Sequence, residues 1–192
     1  QPFRPPENSS KTLSATYQRP YHMHGSIGPS AAIALYDAQV LKVWTHSQGI
    51  FPLRLALADV LGLAEDKIHL VHVPGAGCYG HNGADDVALD AALAARAVPG
   101  RPIMLKWERA DEHAWEPFGS AMQIELQASL DDTGRVIYWN HETFSDTHMS
   151  RPSAHRENSR LLAAWHLQSP RPAPPVKPTP GFHTGINRNA DP

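Results

Sequence analysis

Polar and apolar positions alternate first at Leu13, Ala15 and Tyr17, a period of about two residues that predicts a strand. Alternation returns at Ala31–Asp37 and Val40–His46, two strands with a short turn at Asp37-Ala38-Gln39 between them. From Ile50 the spacing lengthens, and Ile50, Leu53, Leu57, Val60 and Leu61 form one helical stripe. Pro52 suits the first turn of that helix and Gly62 its end. Lys67–Val73 is strand-like again, Pro74–Gly83 is a loop with four glycines, and Ala84–Val98 is a second helix. Asn82 is the expected cap of that helix, Asp85 and Asp86 complement its positive end, and Pro99-Gly100 stops it.

Arg101–Trp107 then predicts a strand and Glu108–Ala114 a short polar helix. Ser120–Leu130 and Arg135–Asp146 predict a long β-hairpin turning at Asp131-Asp132-Thr133-Gly134. After Pro152 the character changes. Leu161–Leu167 predicts a brief helix, and six prolines from Pro170 to Pro180 impose extended, polyproline-like backbone. The order predicts an α+β fold of mixed α/β layers: a mixed sheet with two main helices and a long β-hairpin. Residues 1–11 read as an extended lead-in, 12–152 as the α+β domain, and 153–192 as an extended Pro-rich segment. Gln1 in place of an initiator Met, and the polar ending at Asp191-Pro192, are what a piece excised from a longer protein would show.

Charge and cysteine usage remove several functional classes. Seventeen Lys and Arg against nineteen Asp and Glu leave a net charge of −2, without the basic excess that grips nucleic acid. The longest apolar runs are interrupted by charges before membrane-spanning length. The lone Cys78 excludes an internal disulfide framework, a four-cysteine zinc site, an iron–sulfur cluster and a C-x-x-C-H haem attachment. Any electron carriers that serve this chain are therefore expected elsewhere.

The loop Pro74–Gly83 is the most unusual stretch. Its glycines let backbone approach a ligand and turn N–H groups into a concave nest between a strand and a helix. Gly75, Gly77 and Gly80 match G-x-G-x-x-G by spacing, but no acidic ribose ligand follows in the right strand, and no Gly-Lys-Ser/Thr makes a phosphate loop. The plain alternative is a tight strand-to-helix connection. Gln48 also follows a strand and precedes a helix, which projects its amide over a strand-end crevice; a solvent-facing or helix-capping role is its plain alternative.

Several separated segments, in order, resemble one family. Thr45-His46-Ser47-Gln48, then Lys-Ile-His-Leu-Val-His-Val at 67–73 running into Gly75-Ala76-Gly77-Cys78-Tyr79-Gly80, and the strand and short helix at 100–112, look like the molybdenum-cofactor subunit of the xanthine dehydrogenase/aldehyde oxidase family. The wording of residues 19–30 and 77–86 is most similar to nicotinate dehydrogenase large subunits, with isoquinoline 1-oxidoreductase large subunits near relatives. The resemblance runs well over residues 12–152 and weakly to Arg188-Asn189.

It implies that the chain is part of a larger molybdopterin-binding subunit. It implies that Gln48 hydrogen-bonds an oxo group on molybdenum. It places Gly77-Cys78-Tyr79-Gly80 on the family's Gly-Gly-Phe-Gly loop beside the metal and its pterin dithiolene, with Gly75 leading in. Cys78 and Tyr79 depart from the usual glycine and phenylalanine, His81-Asn82 from Gly-Lys, and Gly28 from a glutamate before proline. The family's catalytic glutamate, its other pterin loops and a substrate-pocket arginine lie in later domains, and no segment after Pro152 matches them. The resemblance thus implies one wall of a molybdenum–molybdopterin site, with no catalytic base and no metal ligand from this chain. It implies further that the whole enzyme oxidises an N-heteroaromatic or aldehyde substrate with water-derived oxygen. Electrons then pass to an iron–sulfur subunit and, in some relatives, to c-type haems.

Other readings compete. Twelve histidines raise a metal site, yet His22 and His24 lack further ligands in register, and His113 with Glu116 stands alone. His24-Gly25-Ser26-Ile27-Gly28 misses the nucleophile elbow at its first position. Cys78 near His81 reads as a small buried loop residue before a nucleophile, and Tyr79 as half-buried with a bonded hydroxyl. Trp115 and Phe118 read as core before substrate entrance. Asp111, Glu112, His113 and Glu116 read as a solvated polar turn before acid–base machinery. The rival class is a non-enzymatic α+β interaction module docking a partner through its Pro170–Pro180 tail.

Overall fold

The computed structural model describes residues 4–145, 151–152 and 160–170. In chain order its elements are β1 (Lys11–Arg19), β2 (Ala31–Asp37), β3 (Val40–Thr45), α1 (Ile50–Leu61), β4 (Ile68–His72), α2 (Ala84–Ala97), β5 (Ile103–Lys106), α3 (Arg109–Trp115), β6 (Met122–Leu130) and β7 (Val136–Ser145). Short 3-10 turns occupy Glu65–Lys67 and Leu162–His166. The described residues divide into two compact units, one of residues 4–22 and 120–145 and the other of 23–119, 151–152 and 160–170.

The first unit is an antiparallel sheet in the order β1-β6-β7, with Lys11 opposite Leu130 and Met122 opposite Ser145. Its hairpin turns as the residues dictate. The Asp131 carboxylate accepts the N–H groups of Thr133 at 3.0 Å and Arg135 at 2.9 Å, and Gly134 takes φ +83°. β1 is exposed along its whole length. Alternation sets Leu13, Ala15 and Tyr17 on one face of that edge strand but does not bury them there.

The second unit holds a four-stranded sheet in the order β4-β3-β2-β5. β2 pairs antiparallel with both β3 and β5, while β3 and β4 run parallel, joined by α1 as the crossover. The β2–β3 turn places Ala38 at φ +44° and Gln39 at +64°, the two positive values a type I′ hairpin requires. Leu53, Leu57, Val60 and Leu61 bury the stripe of α1, and Gly62 closes the helix at φ +63° with the Leu63 N–H bonded to Ala58 O. α2 lies on the sheet through Ala88, Ala91, Ala92 and Ala95, whose small side chains sit against a surface that includes Ala32 and Ala34. Leu41, Val43, Ile68, Val87 and Leu89 fill the same core, which is completed by Leu161 and Ala164.

Strands and helices fall where the periodicity sets them, within a residue or two at their ends, and the fold is α+β with a mixed sheet. Gly83, not Asn82, holds the cap position of α2; Asn82 one residue earlier still accepts the Ala84 N–H at 3.2 Å. The Pro-rich stretch after Pro170 lies outside the described residues, as does most of segment 153–192. Among the described residues no helix is long and apolar enough to cross a membrane.

Candidate functional site

Parallel pairing of β3 with β4 brings two strand ends together, Thr45 lying opposite His72. The chain leaves β3 through His46, Ser47, Gln48 and Gly49 into α1, and leaves β4 through the glycine loop into α2. Val73 N–H donates to Thr45 O at 2.9 Å, extending the pairing to the mouth of the loop.

Buried hydroxyls lock the β3 exit to the start of α2. Thr45 Oγ1 donates to Ala84 O at 3.3 Å and accepts from Ser47 N at 3.1 Å. Ser47 Oγ donates to the Asp85 carboxylate and accepts from Gly49 N at 3.0 Å. Asp85 also meets His81 Nε2 at 3.1 Å and Arg151 Nη1 at 3.6 Å. Asp85 is thus compensated inside the protein, and one of its compensating groups is an arginine far along the chain.

That arginine gathers the two exits. Arg151 Nη2 lies 3.2 Å from Gln48 Oε1, 3.4 Å from Cys78 Sγ and 3.1 Å from Gly80 O. Gln48, itself exposed, and the Cys78–Gly80 turn therefore surround a single nitrogen. Two strand-to-helix connections that the sequence separates share one corner of the molecule.

The glycines of the loop are packed by the protein's own rings. Gly77 at φ +101° lies under Tyr79, and Gly80 at φ +148° lies so close to His24 that a Cβ would overlap the imidazole. Gly75 faces His46, whose ring a Cβ would meet at 2.6 Å. Asn82 Nδ2 donates to Gly77 O at 3.2 Å and His24 Nδ1 lies 3.1 Å from His81 O. Among the described residues, no N–H from Gly75 through Gly80 has a protein acceptor.

His46 is held as a neutral acceptor. Its Nε2 receives the Ala31 N–H at 3.3 Å, and burial pushes the imidazole below its usual range against the opposing fields of Glu112 and Asp85.

Several side chains differ from expectation. Glu112 and Glu116 are not a solvated turn: they are 0% and 2% exposed. Glu112 accepts Ser30 N at 2.7 Å, Ser30 Oγ at 3.0 Å and Gly83 N at 3.2 Å, and Glu116 Oε1 accepts His24 N at 2.5 Å. These carboxylates supply acceptors that strand and loop backbone would otherwise lack, so the polar face of α3 points inward. Tyr79 is 59% exposed, lying on Gly77 with no bonded hydroxyl among the described residues. Cys78 is only partly buried, its thiol donating to Gly80 O at 2.7 Å. Trp115 and Phe118 are exposed, not core. The groove lined by Lys42, Phe51, Arg54, His69 and Val71 shares none of the residues that meet at Arg151.

Comparison with known proteins shows the family and the fold. The pattern that describes the molybdopterin cofactor-binding domain matches residues 6–168. A nicotinate dehydrogenase subunit of Pseudomonas putida is 42% identical over 136 residues, which is 71% of this chain and 11% of that protein. An isoquinoline 1-oxidoreductase subunit of Brevundimonas diminuta is 28% identical over 138 residues, 70% of this chain and 17% of the relative. The aldehyde oxidoreductase of Desulfovibrio gigas has the same fold, with a TM-score of 0.58 at 18% identity over 72% of this chain and 15% of that one. The chain therefore spans less than a fifth of the length of each of these relatives. Because the domain pattern covers residues 6–168 and the strand-end glycine loop lies within it, the chain belongs to the molybdopterin cofactor-binding domain family.

Proposed function

We propose that this chain forms one wall of the active centre in a molybdenum hydroxylase. In this reading the complete enzyme oxidises an N-heteroaromatic or aldehyde substrate with oxygen from water. The similarity to a nicotinate dehydrogenase favours an N-heteroaromatic acid. Residues 12–152 are the part of the cofactor-binding domain present, and 153–192 lead on to the remainder of the large subunit.

The convergence of Gln48 and the Gly75–Gly80 loop at adjacent strand ends carries the proposal. The residues fit a group rich in acceptors. The loop N–H groups have no acceptor among the described residues, and Gln48 spends its oxygen on Arg151, which frees its Nε2 as a donor. Asp85 and Asp86 occupy the first turn of α2, so this helix start is not the seat of the pterin phosphate.

Gln48, Gly75, Gly77, Cys78, Tyr79 and Gly80 would hold the cofactor. When bound, the molybdenum–molybdopterin group supplies the two-electron redox chemistry. Gln48 aims a neutral donor into the site, and such a donor is worth most where negative charge develops on the atom it faces. The loop amides bind and orient. Cys78 and Tyr79 narrow the approach on the loop side. No residue of this chain is assigned as the base, which falls to an absent domain. One cysteine cannot carry an iron–sulfur cluster, so in this reading the electrons leave these residues for centres carried elsewhere, on a partner subunit.

Molybdenum and pterin measured in the full-length protein test the reading, together with Gln48→Ala. Stoichiometric cofactor is expected, with kcat lowered about 10- to 1,000-fold in the variant, the range for losing one such donor. A cofactor-free full-length protein, or a loaded Gln48→Ala enzyme at full kcat, overturns it.

A further inference from the structure

Arg151 stands 103 positions beyond Gln48 in the sequence, yet its guanidinium meets Gln48, Cys78 and Gly80 together. Behind it lies Asp85, a buried carboxylate pinned by Ser47 and His81, 3.6 Å from Nη1. In front, Nη2 faces Gln48 Oε1 at 3.2 Å, Gly80 O at 3.1 Å and Cys78 Sγ at 3.4 Å. The guanidinium is a strut between the buried start of α2 and the exposed amide of Gln48.

We infer that Arg151 is a positioning residue that fixes which way the Gln48 carboxamide points. A guanidinium only donates, so the amide atom that faces it must be the oxygen. The terminal amide torsion of glutamine is otherwise broad and two-fold, and a half-turn exchanges donor for acceptor. With the oxygen held by Arg151, the NH₂ group on the same planar carbon is directed away from it. The inference rests on the reading of Gln48 as a donor to the cofactor.

Arg151 is not a receptor for an anionic substrate. Its charge is balanced by Asp85, and its Nη2 is already shared among three acceptors. Its contact with Gly80 O also ties the turn of the glycine loop to Gln48, so one side chain sets the spacing between the two donor elements.

The test uses the full-length holoenzyme with Gln48→Ala, Arg151→Met, Arg151→Lys and the Gln48→Ala/Arg151→Met double variant. Arg151→Met is expected to lower kcat by about 10- to 100-fold, within the range for loss of one preorganised donor, with KM little changed. Arg151→Lys, which keeps a charge and a donor, is expected to retain more of kcat. The double variant should be no slower than Gln48→Ala alone, because both changes remove the same interaction. Independently of turnover, electron paramagnetic resonance of the pentavalent metal should shift in the same sense for Arg151→Met and Gln48→Ala. Multiplicative losses in the double variant, a rise confined to KM for carboxylate substrates, or loss of molybdenum from both Arg151 variants would overturn the inference. A slow Gln48→Ala enzyme beside a normal, loaded Arg151→Met enzyme removes Arg151 alone. A loaded Gln48→Ala enzyme at full speed removes the reading of Gln48 and the inference with it.

Discussion

Glu112 offers the sharpest test of how the loop is held. Its carboxylate is fully buried on α3 and accepts three hydrogen bonds, from Ser30 N at 2.7 Å, Ser30 Oγ at 3.0 Å and Gly83 N at 3.2 Å. The Ser30 N–H precedes β2 and the Gly83 N–H ends the glycine loop, so one side chain joins the sheet to the loop's exit. Glu112→Ala leaves two buried backbone N–H groups without an acceptor, at about 1–3 kcal/mol each, while the Ser30 hydroxyl can turn elsewhere. The expected loss is about 4 kcal/mol. Glu112→Gln keeps an acceptor for Gly83 and Ser30 Oγ but turns an NH₂ toward the Ser30 N–H. Losing that one bond to a charged group costs about 1.5–3 kcal/mol.

Hydrogen exchange by mass spectrometry on the full-length protein reads this locally, on peptides covering the loop exit and the first turns of α2. At about 1.4 kcal/mol per tenfold change, exchange there should accelerate by roughly two to three powers of ten in Glu112→Ala and by one to two in Glu112→Gln. Control peptides from β6 and β7 should be unaffected. Exchange in Glu112→Ala within about threefold of the parent would refute the claim that α3 holds the loop through this carboxylate.

The remaining expectations are shorter. Burial pushes the Asp86 carboxyl up to about 7, even though its Oδ1 accepts Leu162 N at 2.8 Å. The folded state therefore holds its proton more tightly than the unfolded chain does, a contribution present below about pH 3.8 and lost as pH rises through 7. Asp86→Asn keeps the acceptor for Leu162, so thermal melts should match the parent near pH 4. Near pH 8 the variant should be the more stable, by up to roughly 4 kcal/mol; equal melting at both pH values would contradict this. Gly80→Ala drives a Cβ into the His24 ring at φ +148°, and should loosen the loop by about 1–3 kcal/mol. His24→Ala should relieve the clash but not the backbone strain, and limited proteolysis of the loop separates the two. The isolated 192-residue chain should neither hydroxylate N-heteroaromatics nor retain stoichiometric molybdenum, because a site shared between domains gains little from one wall.

The elements most legible in the sequence were those whose burial follows a simple period. α1 shows its stripe because Leu53, Leu57, Val60 and Leu61 all face one core, and Gly62 marks its end. β2 and β3 alternate because one face meets that core through Ala32, Ala34, Leu41 and Val43. The positions of Gln48 and the glycine loop followed from the same logic, since both come straight after strands that precede helices. α3 defeated it because its buried face is polar. Glu112 and Glu116, four residues apart, look solvated until Ser30, Gly83 and His24 are seen to need acceptors. Arg151 had no local signal at all: it is a single arginine in a polar stretch, and its partners come together only in the folded chain.

These partners also explain why the corner can be a wall of donors and not an anion trap. The start of α2 carries Asp85, whose carboxylate opposes the positive end of its dipole. Asp85 in turn meets His81 and the guanidinium of Arg151, whose charge it balances. Beside this balanced pair the groups left to meet a ligand are neutral: the Gln48 amide and the N–H groups of Gly75–Gly80. The two connections that carry them are held by parallel strand pairing, by rings packed on glycines and by buried hydroxyls, none of which must rearrange when a ligand gains charge. A cationic wall would bind an anion tightly before and after reaction alike. Fixed neutral dipoles respond most to charge that appears during the reaction, which is the property required of a surface that faces a centre changing its oxidation state.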